Sequence, residues 1–196
     1  MGIPMKKLLI TGFEPFGEHH LNPSWDAVDL LPNVIGDHAL TKLRIPTVYG
    51  EAARTVLDAA AAIGADAILC VGLAAGREAI TPERIAVNIR DARLPDNAGR
   101  LCSGEKVDTD GPAAYFSTLP LEQMVKAIRD QQIPAAISNT AGTYVCNDVL
   151  YTLLRHYEGT HVRCGFIHVP QLNLQGKPGL PLIDLVRGLT AAIMAL

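Results

Sequence analysis

Residues 66–73 read DAILCVGL, and this stretch decides the predicted fold class. Its apolar side chains occupy consecutive positions, so both faces of the predicted strand are apolar, as in strands covered by helices on both sides. An alanine-rich stretch with helical spacing, residues 49–63, comes just before it. A doubly buried strand that follows an amphipathic helix indicates an α/β fold.

The same alternation of short strands and helices continues along the chain. Further strands are predicted at 7–12, 40–48, 84–90, 134–138 and 164–169, and further helices at about 23–31, 121–131, 146–154 and 182–196. This order predicts a single-domain α/β/α sandwich with an open, largely parallel central sheet, in which residues 1–196 form one catalytic domain. Residues 91–119 are rich in Gly, Pro, Asp and Asn and lack periodicity, so a long functional or mobile loop is predicted there.

Composition excludes several classes of partner. The chain has 196 residues, of which 48% are hydrophobic and 19% charged, with a formal net charge of -3. This charge gives no reason to expect nucleic acid or an anionic membrane as partner. No apolar run reaches the length of about eighteen residues that a membrane span requires. With no export signal at the start, we expect a cytoplasmic protein.

The four cysteines are predicted to be free thiols, because no close pairing motif and no export signal accompany them. Cys70 and Cys164 lie in apolar strands and are interpreted as core residues. Cys102 lies in the long loop and is expected to be exposed and incidental. The histidines and cysteines show no metal-binding spacing, so no metal site is expected.

Cys146 is the candidate nucleophile. It stands where a polar turn gives way to an amphipathic helix, at the edge of the sheet where open α/β folds place their sites. A helix N-terminus favours negative charge, which predicts a lowered pKa for this thiol. The alternative is a buried structural cysteine.

His168 is the candidate base. It lies near the end of the strand CGFIHV, before Pro170, and therefore at the same edge of the sheet as Cys146. A strand histidine can instead be purely structural. A third group that orients the imidazole is expected among Glu83, Asp91, Asp96 and Glu78, each of which could also be a solvated surface charge. Glu83 directly precedes a predicted strand.

Phe13 and Phe16 follow the first strand in a loop that contains Gly and Pro. They either cap the core or form an apolar slot for a flat, uncharged ring.

The segments LLITGFEPFG, NPSW, ITPERIAVNIRDARLPDN, GPAAYFSTLP, TAGTYVCN and GFIHVP occur in this order over roughly residues 6–170. With them the sequence resembles the type I pyroglutamyl peptidases, also called pyrrolidone-carboxylate peptidases. The resemblance implies an α/β/α sandwich, a cysteine omega-peptidase that acts after an N-terminal pyroglutamyl residue, and a homo-oligomer, either a tetramer or a dimer. It implies that the substrates are peptides. It implies no cofactor and no nucleic-acid or membrane partner.

The resemblance also implies the roles of individual residues. It gives the catalytic triad as Cys146, His168 and Glu83, and the substrate-binding residues as Phe13, Phe16, Asn22, Arg93, Tyr144 and Val145. The chain departs from the family pattern at Leu73, where relatives often carry glutamine, and in the FGEHH segment that replaces a commoner FGG. Two alternatives stay open: a cysteine amidase that acts on another small cyclic amide, and a catalytically silent small-molecule binder.

Overall fold

The computed structural model describes residues 5–17, 21–173 and 178–196. These residues form five helices: α1 Pro23–Asp29, α2 Glu51–Ile63, α3 Leu121–Asp130, α4 Val145–His156 and α5 Leu182–Met194. The strands are β1 Lys6–Phe13, β2 Val34–Ile35, β3 His38–Ile45, β4 Ala67–Leu73, β5 Thr81–Pro82, β6 Ile85–Val87, β7 Ala114–Phe116 and β8 Arg163–Val169. All five predicted helices are present, with ends that differ by a few residues.

Six strands form the central sheet in the order β2-β3-β1-β4-β8-β5. The inner four strands are parallel, and the short β2 and β5 add antiparallel edges. Parallel strands end at the same edge, so the carboxyl ends of β1, β4 and β8 lie side by side. This is the largely parallel sheet that the sequence predicts.

Two hydrophobic cores cover the two faces of the sheet. One core contains side chains of α1, α3 and α5, and the other contains side chains of α2 and α4. Strand β4 supplies both, because Leu69 and Val71 belong to the first core while Ile68 and Cys70 belong to the second. The predicted α/β/α sandwich is therefore confirmed, and the continuous apolar run of β4 is its physical cause.

Two of the predicted strands are wrong in extent. Residues 134–138 form only isolated bridges, from Ala135 to Ile80 and from Ser138 to Glu83. In the predicted strand 84–90, only β6 is extended, and it pairs with β7 outside the main sheet. The predicted long loop 91–119 thus contains β7, a short strand whose pairing depends on a partner far away in the sequence. No helix in the described part of the chain is long and apolar enough to cross a bilayer.

Candidate active site

His168 and Glu83 form a buried pair at the carboxyl end of β8. His168 is 4% exposed and Glu83 is 0% exposed. The imidazole Nδ1 lies 2.7 Å from Glu83 Oε1, so Nδ1 carries the proton that is donated to the carboxylate. The backbone N–H of Glu83 donates to the carbonyl of Phe166, which fixes the acidic residue against β8. The carboxylate therefore sets the orientation of the ring.

Cys146 is the second residue of α4, and its thiol lies over the same end of the sheet. A Cβ atom added to Gly72 would lie 3.0 Å from Cys146 Sγ and 2.8 Å from the ring of Phe166. Gly72 is also the β4 partner of His168 in the strand register. Neighbouring partners in a sheet point their side chains to the same face. The thiol and the imidazole thus share one face beside Gly72, where a larger residue would displace the sulfur.

The start of α4 is fixed by the two residues that follow Cys146. The side-chain amide of Asn147 both donates to and accepts from the backbone of Val87 on β6. The buried Asp148 accepts from Arg90 and from a backbone N–H that precedes α2. These contacts hold the first turn of the helix, and with it the thiol, in one position.

Burial reverses the predicted direction of the thiol's pKa. Desolvation raises the pKa of Cys146 to about 12, with the Glu83 carboxylate and Cys70 adding to the rise, while Arg77 and the thiol's own backbone N–H oppose it. The prediction of a lowered pKa at the helix N-terminus is therefore wrong. Burial also lowers the pKa of His168, against the contribution of Glu83. The pair accordingly rests as a neutral thiol and a neutral imidazole at neutral pH.

Burial would raise the pKa of Glu83, but hydrogen bonds from His168 and other partners outweigh it and lower the pKa overall. One of these partners is Arg77, which the sequence analysis did not single out. Its Nη1 lies 2.7 Å from Glu83 Oε1. An arginine in a Gly- and Ala-rich loop is typical of a surface charge. No local pattern therefore indicates that Arg77 contacts the site.

A cleft of about 260 Å³ opens beside the start of α4. Phe16 and Tyr144 face each other in it, with ring centroids 6.2 Å apart, and Arg93 is an exposed member of its wall. Tyr144 is held by a hydrogen bond from its hydroxyl to the carbonyl of Pro95. The remaining lining residues are Asp91, Ala92, Leu94 and Thr143. An apolar cleft with few polar groups, two residues from a candidate nucleophile, is suited to a small flat group.

Three other predicted substrate-binding residues lie in the protein's framework. Phe13, the last residue of β1, is buried with its ring 6.1 Å from that of Phe166. Asn22 caps α1 by accepting from the backbone N–H of Ser24. Val145 is fully buried at the first position of α4. These three residues are not among those that line the cleft.

The other cysteines are all free and buried. Cys70 and Cys164 belong to the core, as predicted. The prediction of an exposed Cys102 is wrong, because its side chain is fully buried in the core beneath α2 and α4. A loop that packs over a core buries its apolar residues, and composition alone does not show this. Within the described ranges, no group of three or more His, Cys, Asp or Glu side chains could hold a metal ion.

One of the two departures from the family pattern, Leu73, lies wholly within the described residues. Leu73 ends β4 one residue after Gly72, and strand alternation directs its side chain to the face opposite the thiol. Residues 18–20 of the FGEHH segment lie outside the described residues.

Comparisons with known proteins identify the family of this chain. A model of the pyroglutamyl peptidase family matches residues 6–196. The pyrrolidone-carboxylate peptidase of Levilactobacillus brevis is 48% identical over 197 residues, covering 97% of each chain. That of Lactobacillus johnsonii is 46% identical and covers 97% of this chain and 92% of the relative.

Solved structures at somewhat lower sequence identity have closely similar folds. The crystal structure of pyroglutamyl peptidase I from Bacillus amyloliquefaciens has a TM-score of 0.93 at 40% identity, covering 97% of this chain and 96% of that one. A mutant pyrrolidone carboxyl peptidase from Pyrococcus furiosus has a TM-score of 0.89 at 39% identity, covering 96% of this chain and 97% of the other.

Proposed function

Because the chain belongs to the pyroglutamyl peptidase family, a family of cysteine peptidases, we propose that it removes an N-terminal pyroglutamyl residue from peptides through Cys146, His168 and Glu83. The observation that carries the proposal is the arrangement around Gly72. The buried His168–Glu83 pair lies on the face of the sheet that the Cys146 thiol overhangs.

The first step is a coupled proton transfer and attack. Since Cys146 rests as a thiol, His168 takes its proton on Nε2 while Sγ attacks the carbonyl that joins the ring to the next residue. The carbonyl carbon becomes tetrahedral and its oxygen becomes an anion. Glu83 keeps Nδ1 protonated and stabilises the imidazolium that forms.

The oxyanion is placed at the start of α4. The N-cap residue, Tyr144, makes no side-chain hydrogen bond to this helix, so the N–H groups of its first turn can donate to a developing negative charge. A single such donor contributes about 3–4 kcal/mol to transition-state stabilisation in known cases. His168 then protonates the leaving amine, the C–N bond breaks, and a thioester on Cys146 remains. Water, deprotonated by His168, hydrolyses the thioester and releases pyroglutamate and the thiol.

The cleft lined by Phe16 and Tyr144 receives the pyrrolidone ring. A pyroglutamyl residue has no free α-amine, so an apolar cleft suits it where an aminopeptidase needs an acidic anchor. Proline has the same ring without the lactam carbonyl. A site whose polar groups hydrogen-bond this carbonyl leaves them unpaired when proline binds, which can reduce kcat/KM by about 10⁴-fold.

The test is the release of aminomethylcoumarin from its pyroglutamyl and prolyl amides. We expect turnover of the pyroglutamyl amide and a far lower rate on the prolyl amide. Equal rates on both would contradict the proposed specificity. Turnover of neither would favour a silent binder, and turnover of another cyclic amide alone would favour the amidase. The homo-oligomeric assembly and cytoplasmic location stay predictions.

A further inference from the structure

Arg77 connects the pair of His168 and Glu83 to the turn that leads to the nucleophile. It lies in the loop after β4, and its Nη1 lies 2.7 Å from Glu83 Oε1. The same nitrogen donates to the hydroxyl of Thr81 on β5. Nη2 donates to the carbonyl of Thr140, 3.1 Å away, in the turn before α4. One guanidinium therefore joins its own loop to two other segments, residues 81–83 and the turn before α4.

Arg77 and His168 bind the same carboxylate oxygen. Glu83 Oε1 lies 2.7 Å from Arg77 Nη1 and 2.7 Å from His168 Nδ1. Two donors that converge on one oxygen restrict rotation of the carboxylate more than a single donor does. The Arg77 side chain is 29% exposed while Glu83 is fully buried. The guanidinium of Arg77 therefore extends from the surface of the protein to a carboxylate that is held in place by its surroundings.

Arg77 also opposes the charge of Glu83 at both reacting groups. Among the described residues, the charged side chains that act on His168 are Glu83 before β6 and Arg77 after β4. The same two side chains act on the Cys146 thiol of α4, which also neighbours Cys70. Glu83 favours the imidazolium and disfavours the thiolate, whereas Arg77 does the reverse in each case. Loss of this counter-charge would favour the protonated imidazole and leave less of His168 as the neutral base.

We propose that Arg77 is a positioning residue for the reaction: it holds the Glu83 carboxylate for His168 and ties it to the turn before Cys146. This inference rests on the proposed function. Arg77 touches neither the substrate nor the reacting atoms in this account, so its effect passes through Glu83.

The experiment compares Arg77→Gln and Arg77→Lys with the matched control Arg84→Gln. Arg84 is exposed, follows Glu83 directly, and has a loose 3.7 Å pair with Glu122. Two quantities are measured: kcat and KM on the pyroglutamyl amide as a function of pH, and the titration of His168 by NMR on carbon-13-labelled histidine. His168→Asn assigns the signal, and circular dichroism confirms folding.

We expect Arg77→Gln to lower kcat by about 100-fold, with a smaller change in KM, because the base is misplaced. Its His168 titration and the acid limb of kcat/KM should both move to higher pH. Arg77→Lys should keep the His168 titration and the acid limb near their wild-type positions, since the charge remains. It should not recover full kcat, because an ammonium cannot reproduce the hydrogen bonds of the two guanidinium nitrogens. Arg84→Gln should change none of these values.

Unchanged kcat and unchanged His168 titration in Arg77→Gln would overturn the inference. An equal upward shift of the His168 titration in Arg84→Gln would also overturn the inference, since the loss of any nearby cation would then cause the shift. If Arg77→Gln does not fold, Arg77→Lys provides the test of the inference. Full wild-type kcat in Arg77→Lys would contradict the positioning role of the guanidinium. If the wild type cleaves no pyroglutamyl amide while the His168 signal shifts as expected, the proposed function fails and the link from Arg77 to His168 stands.

Discussion

Two buried histidines lie beside a carboxylate at opposite ends of the central sheet. His168, near the carboxyl end of β8, bonds to the fully buried Glu83. His38, at the amino end of β3, has its Nδ1 3.0 Å from an oxygen of Asp37, which is 42% exposed and paired with Lys6. Among the described residues, neither ring nitrogen of His38 has hydrogen-bond geometry to a partner.

Burial lowers the pKa of both imidazoles, so a shifted pKa does not distinguish the two sites. The difference lies in the surroundings. At the carboxyl end, the carboxylate is fully buried and shared with Arg77, and the imidazole that it orients lies on the same face of the sheet as the Cys146 thiol. At the amino end, the carboxylate faces water. A buried histidine becomes a base when a fixed acceptor orients it toward a group that loses a proton.

The largest expected effect separates the proposed nucleophile from a core cysteine. Cys146→Ala should lower kcat/KM by about 10⁶-fold, because no other group replaces the attacking sulfur. Cys164→Ala, which removes a buried thiol at the amino end of β8, should keep kcat/KM and reduce the free energy of unfolding by about 1 kcal/mol. Steady-state kinetics and thermal unfolding check both. A Cys146→Ala enzyme with wild-type kcat would end the assignment.

The second prediction compares the two histidines directly. His168→Asn should lower kcat/KM by between about 10⁴- and 10⁶-fold, since the thiol then has no base. His38→Asn should leave kcat unchanged and cost about 1–3 kcal/mol of stability, because it alters a buried position. Kinetics at one pH with matched folded fractions measure this. Equal losses of kcat in both variants would show that the comparison has no catalytic meaning.

The third prediction compares the two carboxylates. Glu83→Gln should lower kcat by about 10⁴-fold, because the amide neither holds the Nδ1–H tautomer nor stabilises the imidazolium. Asp37→Asn should leave kcat unchanged and change the free energy of unfolding little, as expected for an exposed ion pair. Wild-type kcat in Glu83→Gln is the result that this account does not allow.

The smallest expected effect concerns the pH dependence of stability. Both histidines have folded-state pKa values below the ordinary 6.5, so the unfolded chain binds their protons first as pH falls. Their contribution is complete above 6.5 and is lost as the pH falls through the folded values. Glu83, whose pKa is also lowered, adds a further loss below its ordinary 4.5.

Urea unfolding between neutral and mildly acidic pH tests this. His38→Asn and His168→Asn should each flatten the loss of stability on acidification, although only the second changes activity. A slope that stays at the wild-type value in both variants would mean that neither imidazole is buried in its neutral form.

The sequence predicts the layers of this fold because its signals are local. The continuous apolar run of β4 and the spacing in the helices each depend on neighbouring residues alone. The positions of Cys146 and His168 are also predictable, since the carboxyl ends of parallel strands lie at one edge of the sheet. β7 was missed because a three-residue strand exists only through its distant partner.

The electrostatics of the site could not be predicted for a related reason. A helix N-terminus predicts a lowered thiol pKa, but desolvation over β4 and β8 outweighs it at Cys146. Cys102 and Arg77 were misread or missed because loop residues gain their roles from what the loop packs on. Such contacts depend on the tertiary structure and leave no periodic pattern.

The most direct test of the account is to trap the acyl-enzyme. Wild-type and Glu83→Gln enzymes are mixed with the pyroglutamyl amide, quenched in acid within the first turnovers, digested and analysed by mass spectrometry. The account predicts a pyroglutamyl thioester on the peptide that contains Cys146 and on no other cysteine peptide. Turnover without an adduct on Cys146, or with the adduct on Cys70, Cys102 or Cys164, would contradict it.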